Sequence, residues 1–208
     1  HVTIAAGNRG NKCDVPGGPD YDNYYTSNGT PQYYHRGSSP NAEGAIWVGN
    51  LDSALNSATN GDGSNKDQKA FSSECGPAVD IYAAGTNIMS CTSNTNKFSD
   101  SAYYFDNNYR QCNISGTSMA APQVAGMAAL LLQVNPLATP YSIKQSLTNG
   151  SGDGTLYTSG TNNDWTDRRS LLGGVTKILH NKHNSDKPTI IKNVPSGFFQ
   201  GGIKITTK

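Results

Sequence analysis

The sequence predicts an α/β fold built on a parallel sheet, and three stretches carry that prediction. From about Ser118 to Leu132 the chain is apolar on every side, with Ala120, Ala121, Val124, Ala125, Met127, Ala128, Leu130, Leu131 and Leu132 leaving no polar stripe. A helix of that pattern is a buried one. Val2-Thr3-Ile4-Ala5-Ala6, running into Gly7-Asn8, and Ala45-Ile46-Trp47-Val48-Gly49-Asn50-Leu51-Asp52 are short strands without strict polar alternation. Strands of that kind are covered on both faces, the condition of a parallel sheet.

In chain order, Val2 to Ala6 is the first strand and Arg9 to Ser39 a long, polar, turn-rich connection with Pro16-Gly17-Gly18-Pro19 and Asn28-Gly29. Such length suggests a wall of a cleft. Asp14, Asp20 and Asp22 lie here as candidate ligands for a structural calcium ion, against the simpler expectation of solvated turn carboxylates. His35 reads as a surface loop residue. The strand Ala45 to Asp52 is followed by a turn at Asn60-Gly61-Asp62-Gly63 and a return at Lys69 to Ser73. Thr92 to Gln111 is a second polar, tyrosine-bearing excursion. Thr117 is expected to cap the long helix, which Asn135-Pro136 stops. Thr139-Pro140 opens a second helix ending near Asn149-Gly150, with proline at the favoured first position. Gly152 to Asp167 reads as loop and Ser170 to Lys182 as a last short helix or turn. Beyond this first unit of residues 1–182, residues 183–208 form a tail, whose Thr189 to Val194 and Ile203 to Thr206 suggest a hairpin or extended arm.

The bulk figures exclude several classes. The 208 residues suffice for one domain with a real core. A net charge of +1 with 15% charged residues implies no nucleic-acid partner. No apolar run is expected to reach membrane-spanning length. Cys13, Cys75, Cys91 and Cys112 lack C-x-x-C spacing, which argues against zinc and leaves two disulfides or four buried thiols open. The chain begins with His1, so we expect an upstream segment to have been removed or to be absent.

The chemistry concentrates at Ser118. A hydroxyl in the first turn of a helix meets unpaired N–H groups and the positive end of the dipole. There it can attack a carbonyl while its own backbone N–H holds the oxyanion. Pro122, one turn on, removes a helix bond at roughly 3 kcal/mol in an ordinary interior. A local rule broken beside an exposed serine marks a functional site.

Gly116-Thr117-Ser118-Met119-Ala120-Ala121-Pro122-Gln123-Val124-Ala125-Gly126 resembles the nucleophile motif of the subtilisin-like serine proteases, the subtilases. It departs from most of them at Gln123, where histidine is usual. Ala5-Ala6-Gly7-Asn8 is similar to the segment that carries their oxyanion asparagine. The resemblance covers about residues 1–182 and implies a three-layer αβα subtilisin-like fold, incomplete without an upstream segment. It implies Ser118 as nucleophile, Asn8 as oxyanion donor, and Ala5, Ala6, Gly7 and Thr117 as substrate-binding wall. It implies no metal at the site and a polypeptide substrate.

Subtilases order their triad aspartate, histidine, serine. None of His1, His35, His180 and His183 lies in the family's histidine motif, so the aspartate and histidine are expected from an N-terminal fragment of the same protein. Gln123 and Tyr34 to Pro40 also resemble subtilase-like proteins encoded by phages of marine bacteria. The second reading is therefore a catalytically silent structural protein of a larger assembly such as a virion. The location implied is secreted or virion-associated.

Overall fold

The computed structural model describes residues 1–34, 42, 44–52, 67–93, 95, 101–150, 156, 166, 167 and 169–179. His35, His180, His183, the Asn60 to Gly63 turn, most of the Gly152 to Asp167 loop and the tail lie outside them.

The sheet is organised around the fully buried strand β4, Ile46–Asp52. The first strand, β1 (Thr3–Ala5), pairs with it in parallel, Thr3 opposite Ile46 and Ala5 opposite Val48. Past that pairing, the short β5 (Gln68–Lys69) runs antiparallel to the end of β4. On β4 also lies β6 (Ile81–Ala84), parallel, with Val48 opposite Ile81. Side chains alternate between the two faces. Ile46, Val48, Ile81 and Ala83 point to one, while Trp47, Leu51 and Tyr82 belong to the cluster on the other. Gly49 is required by this packing, because a Cβ there would sit 2.3 Å from the Tyr82 ring.

The first face is covered by helices. The long helix α1, Thr117–Val134, lays Ala120, Ala121, Val124 and Ala128 on it. The second, α2 (Pro140–Gly150), adds Ile143 and Leu147. Thr139 caps α2, its hydroxyl accepting the Ser142 N–H at 3.2 Å. The opposite face is roofed, among the described residues, by irregular chain bearing Cys13, Cys75, Leu156, Leu171 and Leu172.

Two antiparallel units stand off this core. Strands β2 (Tyr24–Ser27) and β3 (Thr30–Tyr33) form a hairpin. Asn28 and Gly29 turn it with φ of 49° and 77°, the positive pair such a two-residue turn needs. The strands β7 (Ile88–Thr92), β8 (Ser101–Tyr103) and β9 (Asp106–Ile114) make a ribbon in the order β7-β9-β8. Among the described residues, the polar, tyrosine-bearing excursion from Thr92 to Gln111 is therefore mostly strand.

Three further expectations change. The cap of α1 is Gly116, not Thr117, with no side-chain cap bond. The helix is not buried on every side: Leu130 and Val134 are 56% and 78% exposed. Its 18 residues, at mean hydropathy 1.2, also reach the minimum for crossing a membrane, although its inner stripe is seated on the sheet. Finally, of the helix or turn expected from Ser170, the described residues form the turn, Gly174 N–H donating to the Leu171 carbonyl at 2.8 Å, and then run beside β6: Tyr82 N–H donates to the Lys177 carbonyl at 2.8 Å, and the Tyr82 carbonyl accepts Leu179 N–H at 2.7 Å.

Candidate active site at the start of helix α1

Ser118 is the second residue of α1 and is exposed. The path that delivers it is fixed by backbone bonds. Gly116 N–H donates to the Gly85 carbonyl at 2.8 Å, tying the loop before the helix to the end of β6. Gly116 holds φ 155°, a value glycine accepts, and a Cβ there would come within 3.3 Å of the Asn8 amide oxygen. Asn87 N–H donates to Ser115 Oγ at 2.9 Å, fastening the ribbon's base to the same loop. Pro122 has no N–H to give the Ser118 carbonyl, so the turn that carries the serine lacks one helix bond. Gln123, at the departure from the usual motif, donates its amide to the Ala84 carbonyl and pins the helix to the sheet.

Asn8 arrives from β1 on the other side of Gly116. Its Oδ1 accepts the Thr117 backbone N–H at 2.9 Å and the Thr117 hydroxyl at 3.1 Å. A backbone N–H can only donate, so the atom facing it is the amide oxygen. The NH2 is the end left to donate elsewhere, on an exposed side chain next to the helix that carries Ser118. The Asn8 oxygen thus caps a helix whose own cap residue has no side chain. The structure brings the two principal residues of the sequence reading, Asn8 and Ser118, to one helix terminus.

The residues expected to line the substrate behave differently. Ala6 and Thr117 are 0% exposed, Gly7 is buried and Ala5 half-buried. Of these four, only Ala5 is partly open to a substrate. Gly7 N–H is already held by Thr117 Oγ1 at 3.2 Å, and its carbonyl accepts Glu74 N–H at 3.0 Å. Sequence reasoning missed the cavity beside Ser118. An open cavity of about 520 Å³ runs from Ser118 and Met119 to Ile88, Cys112 and Ile114 of the ribbon.

His1 cannot serve as the base. Its Nε2 lies 3.1 Å from the Ala138 carbonyl, past the C-terminal end of α1. An 18-residue helix is roughly 27 Å long. Ser118 is at its other end.

The candidate calcium acids also resolve. Asp14 is 2% exposed, not solvated, and its oxygens accept the Val15 and Asp20 N–H groups at 2.9 and 3.0 Å. The Lys12 ammonium sits 3.3 Å from Asp14 and 2.6 Å from Asp20. Burial alone pulls the ammonium down, but its bonds to Asp20 and Asp14 outweigh this and hold its pKa above the ordinary value. Lys12, hydrogen-bonded in turn, keeps the Asp20 carboxyl below the usual range. This loop thus supplies its own cation to Asp14 and Asp20, while Asp22 is exposed. No group of three or more His, Cys, Asp or Glu side chains is gathered for a metal among the described residues.

All four cysteines are free. Burial pushes the Cys13 thiol well up, helped by the Glu74 carboxylate 3.1 Å away. Burial likewise raises Cys75 to about 11.

Known proteins resemble this chain. The model of the subtilase family matches residues 1–174. The alkaline serine exoprotease A of Vibrio alginolyticus is 31% identical over 128 residues, 62% of this chain and 19% of that protein. The serine protease AprX of Bacillus subtilis (strain 168) is 39% identical over 124 residues, 53% of this chain and 25% of that protein. Among solved structures, a cold adapted subtilisin-like serine proteinase aligns with TM-score 0.43 and 27% identity, over 66% of this chain and 36% of that one. The chain thus spans about a fifth to a quarter of the length of these two curated relatives.

Proposed function

Because this chain belongs to the subtilase family, we propose that it supplies the nucleophile and one oxyanion donor of a serine endopeptidase. The observation that carries the reading is the meeting of Asn8 and Ser118 at the N-terminus of α1, across the Thr117 hydrogen bonds. Ser118 Oγ attacks the peptide carbonyl and gives its proton to a histidine outside the described residues, itself oriented by an aspartate. The tetrahedral oxyanion is held by the Ser118 backbone N–H and the Asn8 NH2. The proton then passes to the leaving amine, and water hydrolyses the acyl-enzyme by the same route. Half-buried Ala5, at the open end of the Ala5 to Gly7 stretch, contributes to one wall for the substrate.

The histidine and aspartate belong, in this proposal, to an N-terminal segment of the same protein. Its seat is the outer face of α1, where Ala125, Gly126, Ala129 and Leu130 are exposed. Apart from the backbone of its own helix, no atom of the described residues lies within 4 Å of where a Gly126 Cβ would be, so a partner can approach closely there. The setting this reading implies is outside the cell.

Fluorophosphonate labelling of the intact protein tests the assignment. Labelling at Ser118, lost in Ser118→Ala, is the expected result. An intact, folded protein that takes no label overturns the protease reading in favour of a silent, structural role.

A further inference from the structure

The ribbon of β7, β9 and β8 has two faces, and one of them looks at Ser118. Along β7 the side chains alternate between the faces. Ile88, Ser90 and Thr92 line the Ser118 cavity together with Cys112 and Ile114, which the register sets opposite Ser90 and Ile88. Met89 and Cys91 fall on the reverse, where with Tyr103, Tyr109 and Gln111 they line an open hollow of about 380 Å³. Met89, Tyr103 and Tyr109 are 60%, 37% and 63% exposed. Exposed tyrosine and methionine gathered around a hollow are the composition of a recognition surface. Tyr103 is also braced, its ring meeting those of Tyr104 and Phe105 edge-on at centroid separations of 5.7 and 5.4 Å. One wall of the hollow is therefore set before anything enters it.

The occupant follows from how the hollow and the Ser118 cavity meet. Among the described residues β7 is an edge of the ribbon, and Ser90 and Cys91 border both spaces. A chain lying in the Ser118 cavity passes over that edge into the hollow without crossing another strand. Ser90 is two residues up β7 from Ile88, roughly 7 Å at the rise of a strand. An extended substrate covers that distance and the turn over the edge in about three to five residues. We propose that the hollow is a distal substrate subsite, which takes an aromatic or large aliphatic side chain about three to five residues from the scissile bond. The inference rests on the reading of Ser118 as nucleophile.

Quenched peptides that differ only in where a single phenylalanine replaces glycine test it on the intact protein. Binding energy gained far from the reacting bond raises kcat/KM. Phenylalanine at one position in that range should raise kcat/KM about tenfold over glycine. Leucine should follow phenylalanine at that position, and aspartate should not. In Met89→Ser with Tyr109→Ser the ratio should fall to about one. Each ratio compares two peptides on the same protein, so incomplete folding of the variant does not mimic the effect. A wild type with no preference in that range overturns the proposal. So does a preference that survives in the double variant, because the side chain then binds elsewhere. Fluorescence anisotropy with Ser118→Ala separates binding from chemistry. There the phenylalanine peptide should bind about tenfold tighter than the glycine peptide, and equal binding sinks the subsite. If the wild type neither takes the fluorophosphonate label nor cleaves any peptide, the nucleophile reading falls, and the binding ratio alone decides for the hollow.

Discussion

Single residues set the chemistry of this chain through what they exclude. Gly49 admits the Tyr82 ring where any Cβ would collide, so Gly49→Ala should cost about 1–3 kcal/mol, read as a lowered midpoint in urea. The thiols give a second test. Cys13 and Cys75 are 1% exposed with raised pKa values, whereas Cys91 is exposed. Only the thiolate reacts, so iodoacetamide at pH 8 should modify Cys91 and spare Cys13 and Cys75, as peptide mass mapping would show. Lys12 is the most consequential charge. Lys12→Met leaves Asp14 buried without its cation and should cost about 3 kcal/mol near neutral pH. The sign of the pH dependence follows from the shifts. The depressed Asp20 pKa contributes stability above the ordinary carboxylate range, lost as pH falls through it. The raised Lys12 pKa contributes stability lost only at strongly alkaline pH. The gap between the melting curves of wild type and Lys12→Met should therefore narrow as pH falls below the ordinary carboxylate range.

At the level of elements, the apolar stretches declared themselves. β1, β4, α1 and α2 were all legible from composition and from a few stop signals, because each buries a face and burial leaves an apolar trace. Val124, 0% exposed between α1 and β4, carries that burial, and Val124→Ala should cost about 2 kcal/mol by thermal melt. The ribbon was not legible. Met89, Ser90 and Cys91 are all exposed, as are Asn107 to Arg110, so neither face is consistently apolar and no period of two survives. The hairpin of β2 and β3 did carry a signal in Asn28-Gly29, which marks such a turn once its flanks are read as strands. The Gly116 cap was hidden for another reason. Thr117 is a competent cap in isolation, and only the approach of Asn8 from β1 draws its hydroxyl away. Likewise, nothing local in Asp14 and Asp20 foretells that Lys12 will be folded between them.

For the whole molecule, the lesson lies in the outer face of α1. An all-round apolar pattern was read as all-round burial, yet Leu130 and Val134 of the helix are 56% and 78% exposed, and Leu137 just beyond it is 92% exposed. Exposed apolar surface of this kind invites association. The 208-residue chain alone should therefore self-associate in light scattering, and Leu130→Glu with Val134→Glu should return it to a monomer. The same pair of changes should abolish co-purification with the proposed N-terminal segment. The ribbon has the opposite relation to the rest. Ile88 lies directly across from Ile114, and Asn87 is bound to Ser115 just below them, so everything between leaves and re-enters the domain at one point. It is a side branch closed at its stem. Trimming it to a tight turn, or grafting foreign sequence onto its tip, lengthens or shortens an appendage without lengthening the path that delivers the serine.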